Sequence, residues 1–144
     1  MKLLIDTNIL IDIRRSKKDK EAQKRYKELL YSHEIYVPGV VIAELLHGAV
    51  SETNKQNLHR SLSIYTELNL GNGDWKVLGD QLYEYRINGL TIPLADAIIA
   101  SISMKYGYTI WTEDGHFKLL KKVFPDLLVC DTAELVSAQH SDKL

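Results

Sequence analysis

Short apolar runs alternate with segments of helical periodicity along this chain, and that alternation leaves few folds open. The runs "LLI" (3–5), "EIYVP" (34–38), "YTIWT" (108–112) and "LLVC" (127–130) are too short for core helices and read as strands. Helical stripes lie between them. Ile9 and Ile13 recur four apart in "NILIDIRR", and Ala22, Tyr26, Leu29 and Leu30 share one face of the next segment. "VVIAELLHGAV" begins just after Pro38 and Gly39, either of which suits a helix start. Leu58, Leu62 and Tyr65 continue a helical period, and Asp74 is the expected N-cap of a helix with Trp75, Leu78, Leu82 and Tyr85 on one stripe. "LADAIIASISMKYG" is a helix stopped by Gly107, and "FKLLKKVF" is another. "TAELVSA" is the last, capped by Asp131, with residues 135–144 expected as a fraying helix end and tail. Strands alternating with helices predict an α/β fold: a parallel sheet with helices on both faces. Functional groups in such sheets gather outside the carboxyl ends of the strands.

At 144 residues the chain suits one domain, 1–144, with a real core, and 45% hydrophobic against 26% charged residues is a globular balance. The single Cys130, in an apolar run, can form no internal disulfide and reads as a plain buried thiol, with a reducing cytoplasm the natural compartment. No run is long enough to span a membrane, and the apolar stretch after Lys2 ends too soon for a signal peptide. Net charge is −1, but eight of the eighteen basic residues lie between Arg14 and Lys27, against only Asp19 and Glu21. Such a patch suits a phosphate backbone, and equally a solvated helix face.

Four acids fall where burial is expected. Asp6 ends the first strand, Glu44 interrupts an apolar helix, Asp96 opens a helix of apolar and small residues, and Asp114 follows a strand. Acids are almost never buried unpaired, and no basic residue lies in the same segment as Asp6, Glu44 or Asp96. Taken singly, Asp6 reads equally as a helix cap, Asp96 as a first-turn acid and Asp114 as a turn residue. Glu44, in mid-helix, has no such job. If the four converge, two like charges ~4 Å apart repel by roughly 4 kcal/mol at an effective dielectric of about 20. Such a group must take up protons or bind a cation. Oxygen ligands without Cys or an obligatory His suit Mg²⁺ or Mn²⁺ and the hydrolysis of phosphoryl groups.

The segments "LLIDTNILID", "VVIAELLHGA", "TIPLADAIIAS" and "WTEDGHF" resemble, in order, the signature segments of PIN-domain ribonucleases, and in particular the VapC toxins of toxin–antitoxin pairs. The resemblance implies a three-layer α/β/α sandwich with a central, mainly parallel, twisted sheet. It implies metal-binding catalytic acids at Asp6, Glu44, Asp96 and Asp114, with Asn8 and Thr112 supporting the pocket. It also implies Mg²⁺, with Mn²⁺ as a substitute, RNA as substrate, a homodimer and a cognate antitoxin partner. Two departures stand out: Gly39 replaces a small hydroxyl residue before the Glu44 helix, and Glu113 precedes the last acid where a basic or neutral residue is common.

Other features weigh less. Glu44 and His47 form one Glu-x-x-His pair, where a di-iron bundle needs two, so His47 is expected at the pocket edge or a dimer interface. His116 is expected at a helix start beside a buried Phe117, and Asp12 on the surface near Arg15. Arg14 and Arg15, after the helix bearing Asn8, are the first choice for phosphate contacts, with Tyr31 and Tyr36 weaker RNA candidates. The alternatives are a non-toxin PIN or flap-type nuclease, a small-phosphoester hydrolase and a non-catalytic binding module. A haloacid-dehalogenase-type hydrolase needs an aspartate where Asn8 stands.

Overall fold

Five parallel strands form the centre of the computed structural model, which describes residues 1–142. In chain order the elements are β1 (Lys2–Ile5), α1 (Thr7–Arg15), α2 (Lys20–Ser32), β2 (Glu34–Pro38), α3 (Gly39–His47), α4 (Glu52–Leu62) and β3 (Thr66–Leu68). They continue with α5 (Asp74–Ile87), α6 (Leu94–Tyr106), β4 (Thr109–Trp111), α7 (His116–Val123), β5 (Val129–Cys130) and α8 (Thr132–Asp142). A 3₁₀ turn over Ser16–Lys18 joins α1 to α2.

The strand order is β3-β2-β1-β4-β5, every pairing parallel. The chain therefore winds outward from β1 to β3, then returns past its start to add β4 and β5. Right-handed connections in these two directions put helices on opposite faces of the sheet. The reversal leaves a switch point between β1 and β4, where the crevice of an open parallel sheet lies. Leu3, Leu4 and Ile5 of central β1 are fully buried, as a strand covered on both faces must be. The α6 helix buries Ala97, Ile99, Ala100, Ser101, Ile102 and Ser103, and truncating an aliphatic side chain in this core would cost about 2–5 kcal/mol. Gly107 ends α6 at φ 71°, in the left-handed region that favours glycine.

The sheet and its covering helices match expectation, with local differences. The strand β3 was not expected: its three residues, Thr-Glu-Leu, are largely exposed at the sheet edge and carry no apolar run. The helical period extended to Tyr65 stops at Leu62. Asp74 is the first residue of α5 rather than its cap, and Trp75 is 56% exposed, while Leu78 and Tyr85 are buried. The stretch from residue 135, expected as a fraying end, is helical to Asp142. Leu135 is buried, and Gln139 Nε2 donates to Ser32 Oγ at 2.9 Å, fixing α8 to the end of α2. Lys143 and Leu144 of the expected tail lie outside the described residues.

Candidate active site

The register of β1 on β4 decides what meets at the switch point. Ile5 pairs with Trp111, and the Asp6 N–H donates to the Trp111 carbonyl at 3.0 Å, so Asp6 lies beside Thr112. Both side chains are buried. Asp6 Oδ1 accepts from the Thr7 N–H at 2.7 Å, capping α1. Asp6 Oδ2 accepts from Thr112 Oγ1 at 2.8 Å and Asn8 Nδ2 at 3.0 Å. The cap reading and the pocket reading of Asp6 are therefore compatible, since each uses a different oxygen. Thr112 Oγ1 also accepts the Asp114 N–H at 2.9 Å, and Asn8 Oδ1 accepts the Glu113 N–H at 3.1 Å. Asn8 and Thr112 thus fasten the loop after β4 to the cap and first turn of α1. Burial lifts the Asp6 carboxyl above its ordinary range and the Asp114 charge adds to this, while the bonds from Thr112, Thr7 and Asn8 oppose it.

Asp96, in the first turn of α6, is half-buried. Its carboxyl is pushed up to about 6, first by burial, then by the charges of Asp6, Asp114 and Glu44, with His116 opposing. The four sequence-selected acids are thus close enough to act on one another. Asp114 is half-buried; its Oδ1 accepts the His116 N–H at 2.9 Å and faces His116 Nδ1 at 2.8 Å. His116 begins α7 beside the buried Phe117, as expected, but its ring also lies on Asp114, a contact legible only in the short spacing Asp-Gly-His.

Glu44 corrects the argument that selected it. The α3 helix buries Val41 and Leu45, but Glu44 is exposed, so it is no buried acid on an apolar face. Its carboxylate end turns toward Thr7 Oγ1, 3.5 Å away, where partial loss of solvent and then the Asp6 charge lift its pKa. Thr7 was not singled out in the sequence.

The neighbouring residues divide by what they touch. Glu113 turns from the acids to α8, its Oε1 accepting the Thr132 N–H at 3.0 Å and the Thr132 hydroxyl, which also accepts from Trp111 Nε1 at 3.0 Å. Asp131 caps α8 through the Glu134 N–H at 2.8 Å. Arg14 is half-buried and donates to Ser61 Oγ at 3.1 Å, while Arg15 is exposed. Both line a cavity of about 250 Å³ together with Thr7 and Glu44. His47 is exposed at the end of α3, Asp12 is half-buried, and burial pushes the Cys130 thiol up to about 12, which leaves it unreactive.

Among the described residues, no three His, Cys, Asp or Glu side chains form a ready-made metal cage. The site instead holds like charges at separations where they still repel, with the ring of His116 opposing them at Asp96. An all-oxygen donor set with unrelieved negative charge fits a hard dication such as Mg²⁺ or Mn²⁺, and Asp6, Glu44, Asp96 and Asp114 are the residues that could hold it.

A parallel sheet with carboxylates at its switch point defines an α/β protein built to present acids in a crevice. The PIN domain family matches over residues 3–123, and the chain belongs to that family. It is 31% identical over 122 residues to a ribonuclease VapC of Rickettsia bellii (strain RML369-C), a match covering 78% of this chain and 84% of the relative. Its fold is that of VapBC2 from Rickettsia felis, crystallised on a promoter DNA fragment (TM-score 0.74, 24% identity, 91% of this chain and 98% of that one). DNA-bound VapBC from Salmonella typhimurium is similar (TM-score 0.71, 18% identity, 92% and 98%). No helix among the described residues is long and apolar enough to cross a membrane.

Proposed function

We propose that this chain is a single-domain, metal-dependent endoribonuclease, the toxin of a toxin–antitoxin pair. The observation that carries the reading is the convergence of Asp6, Glu44, Asp96 and Asp114 at the switch point, where burial first, and then the charges of the other three, lift Asp96 to about 6. Membership of the PIN domain family and likeness to a ribonuclease VapC support it.

The chain's own residues hold and orient. Asp6 is held rigidly by Thr7, Asn8 and Thr112, so it offers its carboxylate in one orientation. Asp96 and Asp114 face it from α6 and from the loop after β4, and Glu44 closes the rim from α3. Bound Mg²⁺, or Mn²⁺ in its place, supplies an activated water and charge neutralisation at the scissile phosphate. Arg14 and Arg15, sharing a cavity with Glu44, contact RNA phosphates on the way in. The protein works as a homodimer, and its antitoxin is a protein partner. A cavity of about 530 Å³ with Leu10, Ile13, Leu30 and Leu58 in its walls and Arg14, Lys17 and Lys27 beside them suits an acidic amphipathic segment of that partner.

The test is cleavage of RNA with Mg²⁺, with Mn²⁺ and with EDTA, for the wild type, Asp6→Asn and Asp96→Asn. Cleavage by the wild type with either metal, lost in EDTA and in both variants, is expected. Activity that survives chelation and both substitutions would overturn the reading.

A further inference from the structure

The α3 helix that carries Glu44 has no cap of its own. Pro38 precedes it without a side-chain hydrogen bond, and its first residue is Gly39. The free N–H of Gly39 is met from another strand. Parallel pairing sets Pro38 opposite Leu68, so the residues that follow, Gly39 and Asn69, come side by side. Asn69 Oδ1 accepts the Gly39 N–H at 2.9 Å. The amide is oriented in turn by Glu67, whose Oε2 accepts from Asn69 Nδ2 at 2.6 Å. A Cβ on Gly39 would stand 2.4 Å from Asn69 Oδ1, so a larger residue there would push the amide aside and break the bond. Glycine at 39 and asparagine at 69 are therefore one device: the first lets the helix start approach the strand end, and the second satisfies the amide that approach exposes.

We propose that Asn69, held by Glu67, is a positioning residue for the active site, fixing the start of α3 and through it the place of Glu44 at the rim. It rests on the reading of Glu44 as a site residue. Glu44 lies on a nine-residue helix seated by the buried Val41 and Leu45, and its own exposed side chain has a 3.5 Å contact to Thr7, so a shift of the helix start is passed along this short helix to its carboxylate. The edge strand β3 ends at this contact, one residue before Asn69.

The full-length chain tests this with two readouts: the kcat for RNA cleavage, and the Mn²⁺ concentration giving half of the metal-induced rise in melting temperature. Asn69→Ala removes the acceptor and is expected to lower kcat about tenfold, the scale of a small misplacement of a reacting group, with KM little changed. The Mn²⁺ midpoint should move upward alongside. Asn69→Asp paired with Glu67→Gln reverses which partner donates across the 67–69 contact and keeps the acceptor toward Gly39. That double variant should restore both readouts to within about twofold, which a merely structural lesion would not do. A wild-type kcat and Mn²⁺ midpoint in Asn69→Ala, or a double variant no better than Asn69→Ala, would overturn the proposal. Glu44→Gln separates the two levels. If it is impaired in both readouts while Asn69→Ala is not, positioning alone fails; if it matches the wild type, the assignment of Glu44 fails and the proposal with it.

Discussion

Replacing Asp96 with Asn should make the metal-free protein more stable while destroying the proposed activity. The carboxyl is lifted from 3.8 to about 6 by burial and by three neighbouring acids. At about 1.4 kcal/mol per unit, that shift sets an upper value of about 3 kcal/mol of unfavourable free energy carried by the ionised group. Asp96 is only half-buried, so solvent screening reduces this to about 1.5–2 kcal/mol. For a chain of this size the corresponding rise in melting temperature is roughly 4–7 °C. The sign follows from linkage. The folded-state pKa lies above the unfolded one, so the wild type carries the full handicap above pH 6. The handicap shrinks as pH falls through 6 and is gone below 3.8, where both states are protonated. The assay is thermal unfolding of wild type and Asp96→Asn in EDTA at pH 8, 5 and 3.5. The gap should be widest at pH 8 and closed at 3.5. Saturating Mg²⁺ should raise the wild type above the variant, because a ligand bound only by the folded state stabilises it. A variant that melts at or below the wild type at pH 8 in EDTA, or a gap independent of pH, would refute the account of Asp96 as a residue under unrelieved repulsion.

Three further outcomes test the surroundings. Thr112→Val deletes a buried hydroxyl that donates to Asp6 and accepts from the Asp114 amide, and should cost about 1–3 kcal/mol in denaturant unfolding. Glu113→Ala removes the acceptor that ties Thr132, the first residue of α8, to the loop after β4; it should lower stability by about 1 kcal/mol and speed proteolytic clipping near Asp131. Charge reversal of Arg14 and Arg15 should raise the KM for RNA and lower the slope of log KM against log salt by about 1.4, two contacts at about 0.7 each. An unchanged slope would remove both residues from the RNA path.

Asp6 was legible because an apolar strand ends on it, and the register of β1 on β4 then supplies Thr112 as the neighbour that the sequence only suggests. The α6 stripe and its glycine stop were legible for the same reason: burial and backbone conformation leave marks on residue type. Glu44 was selected by an argument from burial that its exposure contradicts, because a nine-residue helix with two buried side chains leaves most of its surface open. The strand β3 leaves no mark in the sequence, since an exposed edge strand of three residues needs no apolar pattern; only its hydrogen-bonding neighbour defines it. Asn69 and Glu113 were illegible in a stronger sense. Each is an ordinary polar residue whose role depends on a partner thirty or nineteen positions away.

The bond between Thr112 and Asp6 spans 106 positions of the chain. During synthesis the first strand is finished at once, yet its acid has no partner from the far loop until β4 has been made and docked beside it. A polypeptide that stops short of Thr112 contains Asp6, Glu44 and Asp96 but neither Asp114 nor the hydroxyl that orients Asp6. Incomplete chains therefore lack an assembled pocket, so the ordering of the strands itself delays the proposed activity until most of the molecule exists.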